Sequence, residues 1–133
     1  KPFYGTNHKF NGWMDYFYVG SHMNSVGLTD INTPLIYKKN KFTAILIPHF
    51  FSSQGKVYDR INRMEMDNYL GTELDLVLGY KAHKSVMFNI GYSQMFATET
   101  MEILKGGSKD ETNNWGWVMI TFKPDFFKYN FKK

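Results

Sequence analysis

Between residues 69 and 81 the chain alternates strictly. Leu70, Thr72, Leu74, Leu76, Leu78 and Tyr80 fall on one parity, and Gly71, Glu73, Asp75, Val77, Gly79 and Lys81 on the other. A period of two is that of a β-strand with one apolar and one polar face. A helix would bring Glu73 and Leu76 to the same side and lose the segregation. Val86, Phe88, Ile90 and Tyr92 alternate in the same way with Met87, Asn89, Gly91 and Ser93. Residues 82–85 between the two segments are few enough for a hairpin. Residues 26–37 read as an earlier strand, with Ile31, Leu35 and Tyr37 opposite Asp30 and Asn32. Pro34 weakens it, because proline removes a ladder donor. Residues 41–52 predict another, with Phe42, Ala44, Leu46 and Phe50 opposite Thr43 and His49 and a tight turn at 38–41. The last strand is 114–123, with Val118, Ile120 and Phe122 opposite Trp115, Trp117, Met119 and Thr121, and Pro124 ends it.

The pattern therefore predicts an all-β chain of about five antiparallel strands. Long connections before residue 26, at 53–68 and at 97–113 alternate with short turns near Asn40 and His83. That is the order of an outer-membrane barrel, with long loops outside and short turns in the periplasm. Segments of ten to twelve residues also suit a tilted membrane strand, which needs about 9–11 residues, better than a soluble strand of about five or six. Periodicity does not say which face points outward, so a soluble β-sandwich or lipocalin-like barrel is the competing architecture. The expectation is a transmembrane antiparallel β-barrel of which residues 1–133 form the C-terminal part of a single domain. Five strands do not close a membrane barrel, since the smallest have about eight. Open edges in lipid leave backbone groups unsatisfied, so strands from elsewhere in the barrel are expected as partners.

Composition changes the picture in three places. Aromatic residues make up 18% of the chain, with nine Tyr and twelve Phe, a usual level where rings gather at membrane interfaces. Mean hydropathy is only -0.42, and no run of about 18 apolar residues exists, so a transmembrane helix is not expected. Charge separates the two ends. The short-turn end carries Lys38, Lys39, Lys41, Lys81, Lys84, Lys123, Lys128, Lys132 and Lys133 against Asp125, a net +8, while the long-loop side nets -1 and the polar strand faces -3. Basic turns beside anionic headgroups are favourable; a solvated lysine-rich sheet end is the simpler alternative. The basic residues are scattered, so nucleic acid is not expected as a partner. There is no cysteine, which excludes disulfides and thiolate metal sites. The first residue is Lys and no signal peptide precedes it, which reads as a processed or partial chain.

Three stretches resemble the alginate-export-like outer-membrane proteins of Bacteroidetes. The most specific runs from Tyr4 to Val19 and reads YGTNHKFNGWMDYFYV; the others are LGTELDLVLGYK from Leu70 to Lys81 and WGWVMITFKP from Trp115 to Pro124. The likeness covers nearly the whole chain, but only the C-terminal part of that family's barrel. It implies a monomeric, porin-like barrel of many strands that passes a solute across the bacterial outer membrane, with the lipid bilayer and the remaining strands as partners. A lumen that attracts a polyuronate is basic in that family. Here Asp30, Glu73 and Asp75 occupy the expected lumen face, which departs from that pattern.

The candidate pore-lining residues are Asp30, Asn32, His49, Glu73, Asp75, Lys81 and Asn89. Glu73 and Asp75 sit two apart on one face, roughly 7 Å by strand rise. They read as lumen charges that favour cations or bind sugar hydroxyls, or as a pair balanced by cations on neighbouring strands. A glycosidase pair usually comes from different elements, and no Ser-His-Asp or nucleophile-elbow pattern occurs, so an enzyme is not expected. His8, His22, His49 and His83 lack metal-ligand spacing; no metal or cofactor is expected. Trp13, Tyr16, Phe17 and Tyr18 form an aromatic cluster with three readings: an interface girdle, a sugar-stacking platform near the outer mouth, or a plug packing loop against wall. Residues 97–105 suit a short helix. The functional expectation is a channel passing small or oligosaccharide solutes by diffusion. Its rivals are a structural component of an outer-membrane complex, with other outer-membrane proteins as partners, and a soluble β-barrel domain that binds a ligand.

Overall fold

The computed structural model describes residues 10–18, 20–22 and 25–126. His8, the start of the first resemblance motif, Lys1 and Lys9 at the loop end, and Lys128, Lys132 and Lys133 at the basic end lie outside the described residues. The chain is mostly antiparallel β-sheet with one short helix. Its elements are β1 (Leu28–Asn32), β2 (Leu35–Lys39), β3 (Phe42–Ser53), β4 (Tyr58–Asp59), β5 (Met64–Glu65), β6 (Tyr69–His83), β7 (Val86–Ala97), α1 (Glu99–Lys105) and β8 (Asn113–Phe122). The main sheet runs β1-β3-β6-β7-β8, and β2 also pairs with β3. Among the described residues it is open: one edge is shared by β1 and β2 and the other is β8.

The single strand expected over 26–37 is two. Thr33 and Pro34 interrupt it, and both halves pair with β3 in sequence, Asn32 opposite His49 and Leu35 opposite Leu46. Proline costs a donor and an edge strand tolerates that loss. The turn to β3 is two residues, Asn40 and Lys41, between the paired Lys39 and Phe42. Asn40 has φ 54, a left-handed conformation that Asn accepts more readily than most residues. Lys84 and Ser85 make the second short turn, between His83 and Val86. The long connection at 53–68 holds a small hairpin of β4 and β5, too short for periodicity to reveal.

Parity fixes the faces, and cross-strand register aligns them into rows. One row joins Phe42, Tyr80, Phe88 and Ile120; the next joins Tyr37, Ala44, Leu78, Ile90 and Val118; a third joins Leu35, Leu46, Leu76, Tyr92 and Gly116. Above them lie Pro48, Leu74, Gln94 and Asn114, and then Ile31, Phe50, Thr72 and Phe96. This apolar face is the open one: Ile31, Leu35, Tyr37, Ile90, Val118, Ile120 and Phe122 are each more than half exposed. The other face is buried at its centre, where His49, Glu73, Asp75 and Ser93 lie among Ile45, Ile47, Val77 and Trp117. Glu73, Asp75 and Ser93 have no exposed surface, and His49 retains 4%. Soluble sheets bury the apolar face and wet the polar face; this sheet does the reverse.

The only clustered hydrophobic core among the described residues sits on the inner face at the loop end. It comprises Phe17, Phe51, Leu70, Met95 and Met101, with Met14, Tyr16, Leu28, Ala97 and Leu104 packed against it. Leu70 corrects the parity reading, which put it on the apolar outer face. The β3–β6 register shifts between Phe51 and Ser52, with Phe51 opposite Gly71 and Ser52 opposite Tyr69. Leu70 is the extra residue of this bulge, and a bulge re-aims the side chain it carries. The helix expected over 97–105 is α1, N-capped by the Thr98 hydroxyl, which accepts from Met101 N–H. Thr98 Oγ1 also donates to the carbonyls of Tyr69 and Leu70, so the cap ties helix to bulge.

Phe51 is fully buried at the centre of this cluster. Phe51→Ala is expected to cost about 3–5 kcal/mol through the cavity it leaves, read as a lowered urea midpoint. A shift under about 1 kcal/mol would mean that the loop-end cluster is not what holds the inner face together.

Candidate functional site

The buried polar face carries one connected set of groups from four strands. Ser93 Oγ donates to Asp75 Oδ1 at 2.5 Å. Asp75 Oδ2 lies 3.6 Å from His49 Nε2, and His49 Nδ1 lies 2.9 Å from Asp30 Oδ2. Asn32 Nδ2 donates to the same Asp30 carboxylate at 3.2 Å. The imidazole thus stands between two carboxylates, stacked on Phe51 with ring centroids 5.6 Å apart. Sequence alternation put Asp30, Asn32, His49, Glu73 and Asp75 on one face, and the structure brings them together. Lys81 and Asn89 share the face but not the cluster: Lys81 is exposed toward the short-turn end, and Asn89 is half-buried beside Gly79.

A segment from the N-terminal part covers the set. Met14 N–H donates to Glu73 Oε1 at 2.9 Å, and Trp13 N–H donates to Asp75 Oδ2 at 3.2 Å, from 59 and 62 residues away in sequence. Buried carboxylates are costly unless hydrogen-bonded, and here backbone donors supply part of what bulk water would. Gly12, with φ 79, lies flat on the Glu73 carboxyl; a Cβ there would fall 2.6 Å from Glu73 Oε2. Any other residue would be strained in φ and would collide with the carboxylate. Glu73 and Asp75 therefore face the inner side but contact the chain itself, not open space.

Aromatic rings complete the cover. Trp13 stacks on Trp117 of β8, centroids 5.5 Å apart and planes 29° apart. Trp117 in turn lies over the bare backbone of Gly91, whose Cβ would be 2.3 Å from the indole. Phe17 packs on Phe51 at 4.4 Å. Tyr16 is half-buried, and burial together with the negative Glu73 holds its phenol above the usual range, so it stays a hydroxyl. Tyr18 is 39% exposed and lies outside the packed set. Three of the four aromatic residues singled out in the sequence thus pack the segment onto the wall.

The turn that follows is held by α1. Lys105 Nζ donates to the Ser21 carbonyl at 2.6 Å and sits 5.4 Å from the Phe17 ring centre. His22 makes an edge contact with Phe17 and hydrogen-bonds through Nε2 to the Val26 carbonyl at 2.7 Å. Burial, and then the charge of Lys105, push the His22 imidazole below its ordinary 6.5. Neither residue was signalled by the sequence, because their partners are set only by the docking of the segment. Ser93, Trp117, Gly12 and Gly91 were likewise not picked out as site residues; glycine facing tryptophan across β7 and β8 was the available signal. Among the described residues no group of three or more His, Cys, Asp or Glu is arranged to hold a metal ion. Chemically, the arrangement can seat a polypeptide segment on a polar wall and exclude water from it.

In comparisons with known proteins, no family model matches the chain, and no match is found among curated proteins or solved structures.

Two outcomes test the clamp. Glu73→Ala with Asp75→Ala is expected to accelerate chymotrypsin cleavage at Trp13, Tyr16 and Phe17 at least tenfold; an unchanged rate would mean that aromatic packing alone holds the segment. The second is pH dependence. The folded state depresses the His22 pKa, so the unfolded segment takes up a proton first as pH falls. Docking is then fully retained above 6.5 and weakens as pH drops through 6.5 toward the lower folded value. Cleavage in the wild type should rise between pH 7.5 and 5.5 more steeply than in His22→Asn; parallel profiles would remove His22 from the account.

Proposed function

We propose that this chain forms part of the wall of an outer-membrane β-barrel of the porin-like, alginate-export-like type, passing small or oligosaccharide solutes by diffusion. The observation that carries the reading is the inverted sheet, with an open apolar face and a buried face of carboxylates, imidazole and hydroxyl. Lipid is the surrounding that makes such an outer face favourable. The rows from Phe42 and Tyr80 to Phe50 and Phe96 are eight residues apart, or ~26 Å along the strand at ~3.3 Å per residue. With a tilt of about 40° this gives ~20 Å of height, near the ~25 Å apolar band of outer-membrane barrels. Aromatic residues gather at both ends of this face, Tyr37, Phe42, Tyr80 and Phe88 at one and Phe50, Tyr69 and Phe96 at the other, with Tyr92 between them. Lys39 lies level with Phe42, and Lys41, Lys81, Lys84 and Lys123 lie beyond it toward the short turns, where headgroups would meet them. The open edges of β8 and of β1 with β2 have unpaired backbone groups that lipid does not satisfy, so strands outside the described residues would close the ring.

The covering segment favours a second reading. It occupies the inner face at the level of Glu73 and Asp75, which narrows a lumen there. A barrel stopped at that level would serve as a structural component of an envelope assembly rather than as a conduit.

The test is extraction of the protein from its native membrane in detergent, followed by electrophoresis with and without boiling and by planar-bilayer recording. A heat-modifiable band with stepwise conductance is the expected result. A heat-modifiable band without conductance, co-purifying stoichiometrically with other proteins, selects the structural reading. A protein that stays monodisperse in plain buffer would overturn both.

A further inference from the structure

The turn between β2 and β3 borders a cleft of about 420 Å³ on the outward, apolar side of the sheet. Tyr37, Lys39, Asn40, Lys41, Phe42 and Tyr80 line it. Lys39, Phe42 and Tyr80 share one row across β2, β3 and β6, and Tyr37 stands in the next row on the same face. We propose that this cleft is a binding site for an anionic glycerophospholipid, with the Lys39 and Lys41 ammonium groups taking its phosphate and the rows beside them taking its acyl chains. The proposal rests on the barrel reading and goes beyond it. A basic rim attracts any anionic leaflet, whereas a defined cleft holds one lipid and selects its charge.

The cleft is rich in donors and lacks a negative group. Two ammonium groups, two phenols and the Asn40 carboxamide can donate, and no carboxylate lines it. A phosphodiester presents acceptors and a negative charge, which such donors meet with charge-assisted hydrogen bonds. Every Asp and Glu of the chain lies among the described residues, so the anionic side chains are fully placed. Asp125 is the one acidic residue of this chain at the short-turn end, and it lies 3.7 Å from Lys84. Lys39 and Lys41 have no ion-pair partner among the described residues. A choline or ethanolamine headgroup would bring a further cation to these two lysines, with no carboxylate of this chain to receive it. Like charges at close range are unfavourable.

The surroundings select a lipid over a free phosphate. Tyr37, Phe42 and Tyr80 are large exposed rings, and tyrosine suits the boundary between hydrocarbon and water. Beside their row run Tyr37, Ala44 and Leu78, then Leu35, Leu46 and Leu76. Ala44 is the smallest outward side chain of β3, so its row dips between Tyr37 and Leu78 and opens a path from the cleft along the apolar face. An acyl chain gains with each methylene laid on such a surface; inorganic phosphate gains nothing from it.

The site is held in place before a lipid arrives. Lys39 pairs with Phe42 across the two-residue turn, and the Lys41 carbonyl accepts from Lys81 N–H at 2.8 Å. The turn is thereby fixed against the end of β6, close to Tyr80. A preformed site loses less freedom on binding.

The full protein, delipidated in detergent, would be titrated with dioleoylphosphatidylglycerol and dioleoylphosphatidylcholine, and bound lipids counted by native mass spectrometry. A lysine near anionic headgroups is worth about fivefold in binding. Saturable binding of phosphatidylglycerol is expected, at least about fivefold tighter than phosphatidylcholine, and Lys39→Gln with Lys41→Gln should remove that preference. Lys38→Gln with Lys81→Gln takes the same charge from the same end but from the inward parity, and should leave the preference intact. All four lysines are exposed, so both double variants should keep the heat-modifiable band. Equal affinity for the two lipids, or equal losses in the two double variants, overturns the site and leaves the barrel reading standing. Displacement of the lipid by inorganic phosphate at equal concentration overturns the role of the acyl chains and with it the lipid assignment. Absence of the heat-modifiable band in the wild type overturns the barrel reading and the site together.

Discussion

Burying two carboxylates on consecutive inward positions of one strand is the constraint on which the inner side of this protein depends. Glu73 and Asp75 point the same way by parity, and neither retains exposed surface. Each must find donors or be left uncompensated in a poor dielectric, at a cost of several kcal/mol. The fold answers with a hydroxyl from β7 and two backbone N–H groups from residues 13 and 14. The position of the covering segment follows from that requirement. Gly12 has to be glycine because the chain passes directly over the Glu73 carboxyl, and Trp13 arrives where Trp117 can receive it because Gly91 leaves room for the second indole.

Backbone donors differ from lysine or arginine in what they leave behind. A cation beside each carboxylate would have neutralised the wall. N–H groups bring no charge of their own and meet only part of the demand: Glu73 Oε2 has no hydrogen-bond partner among the described residues. The aromatic cover does the complementary work: it makes the loop end apolar and rigid without adding charge. Wall and cover together therefore define a surface of carboxyl groups and aromatic rings, unlike the basic lumen expected of a channel for polyuronates.

How much of this could be read from the sequence depends on the range of the interaction concerned. Side-chain parity is a property of two neighbouring residues, so the faces of β3, β6, β7 and β8 followed directly from alternation. Pro34 announced the break between β1 and β2 by the missing donor. Leu70 was misplaced because a bulge changes parity by one residue, and the bulge comes from the pairing with Ser52 and Phe51, not from Leu70 itself. The carboxylates were visible as candidates, but their cover was not. It is made by residues about 60 positions away that have no periodicity, and backbone amides carry no signature in a sequence. His22 and Lys105 were invisible for the same reason, since their roles exist only once the segment is seated.

The inversion of the sheet bears on stability as well as on function. In a soluble sheet the apolar face is the main source of folding free energy, and the polar face costs nothing because water solvates it. Here no residue of the sheet's own apolar face is more than partly buried within the described chain, while the carboxyl groups of the other face carry a desolvation cost. The loop-end cluster around Phe51 offsets part of that cost, but it covers only one end of the sheet. Toward the short turns the inner side is lined by Thr43, Val77, Gly79 and Asn89 with no comparable cluster above them. A sheet balanced in this way gains most from a medium that accepts its outer face and from neighbours that pair its two edges. The bilayer and continuing strands of the proposed barrel would meet both requirements at once, so the outer face and the open edges support the same proposal.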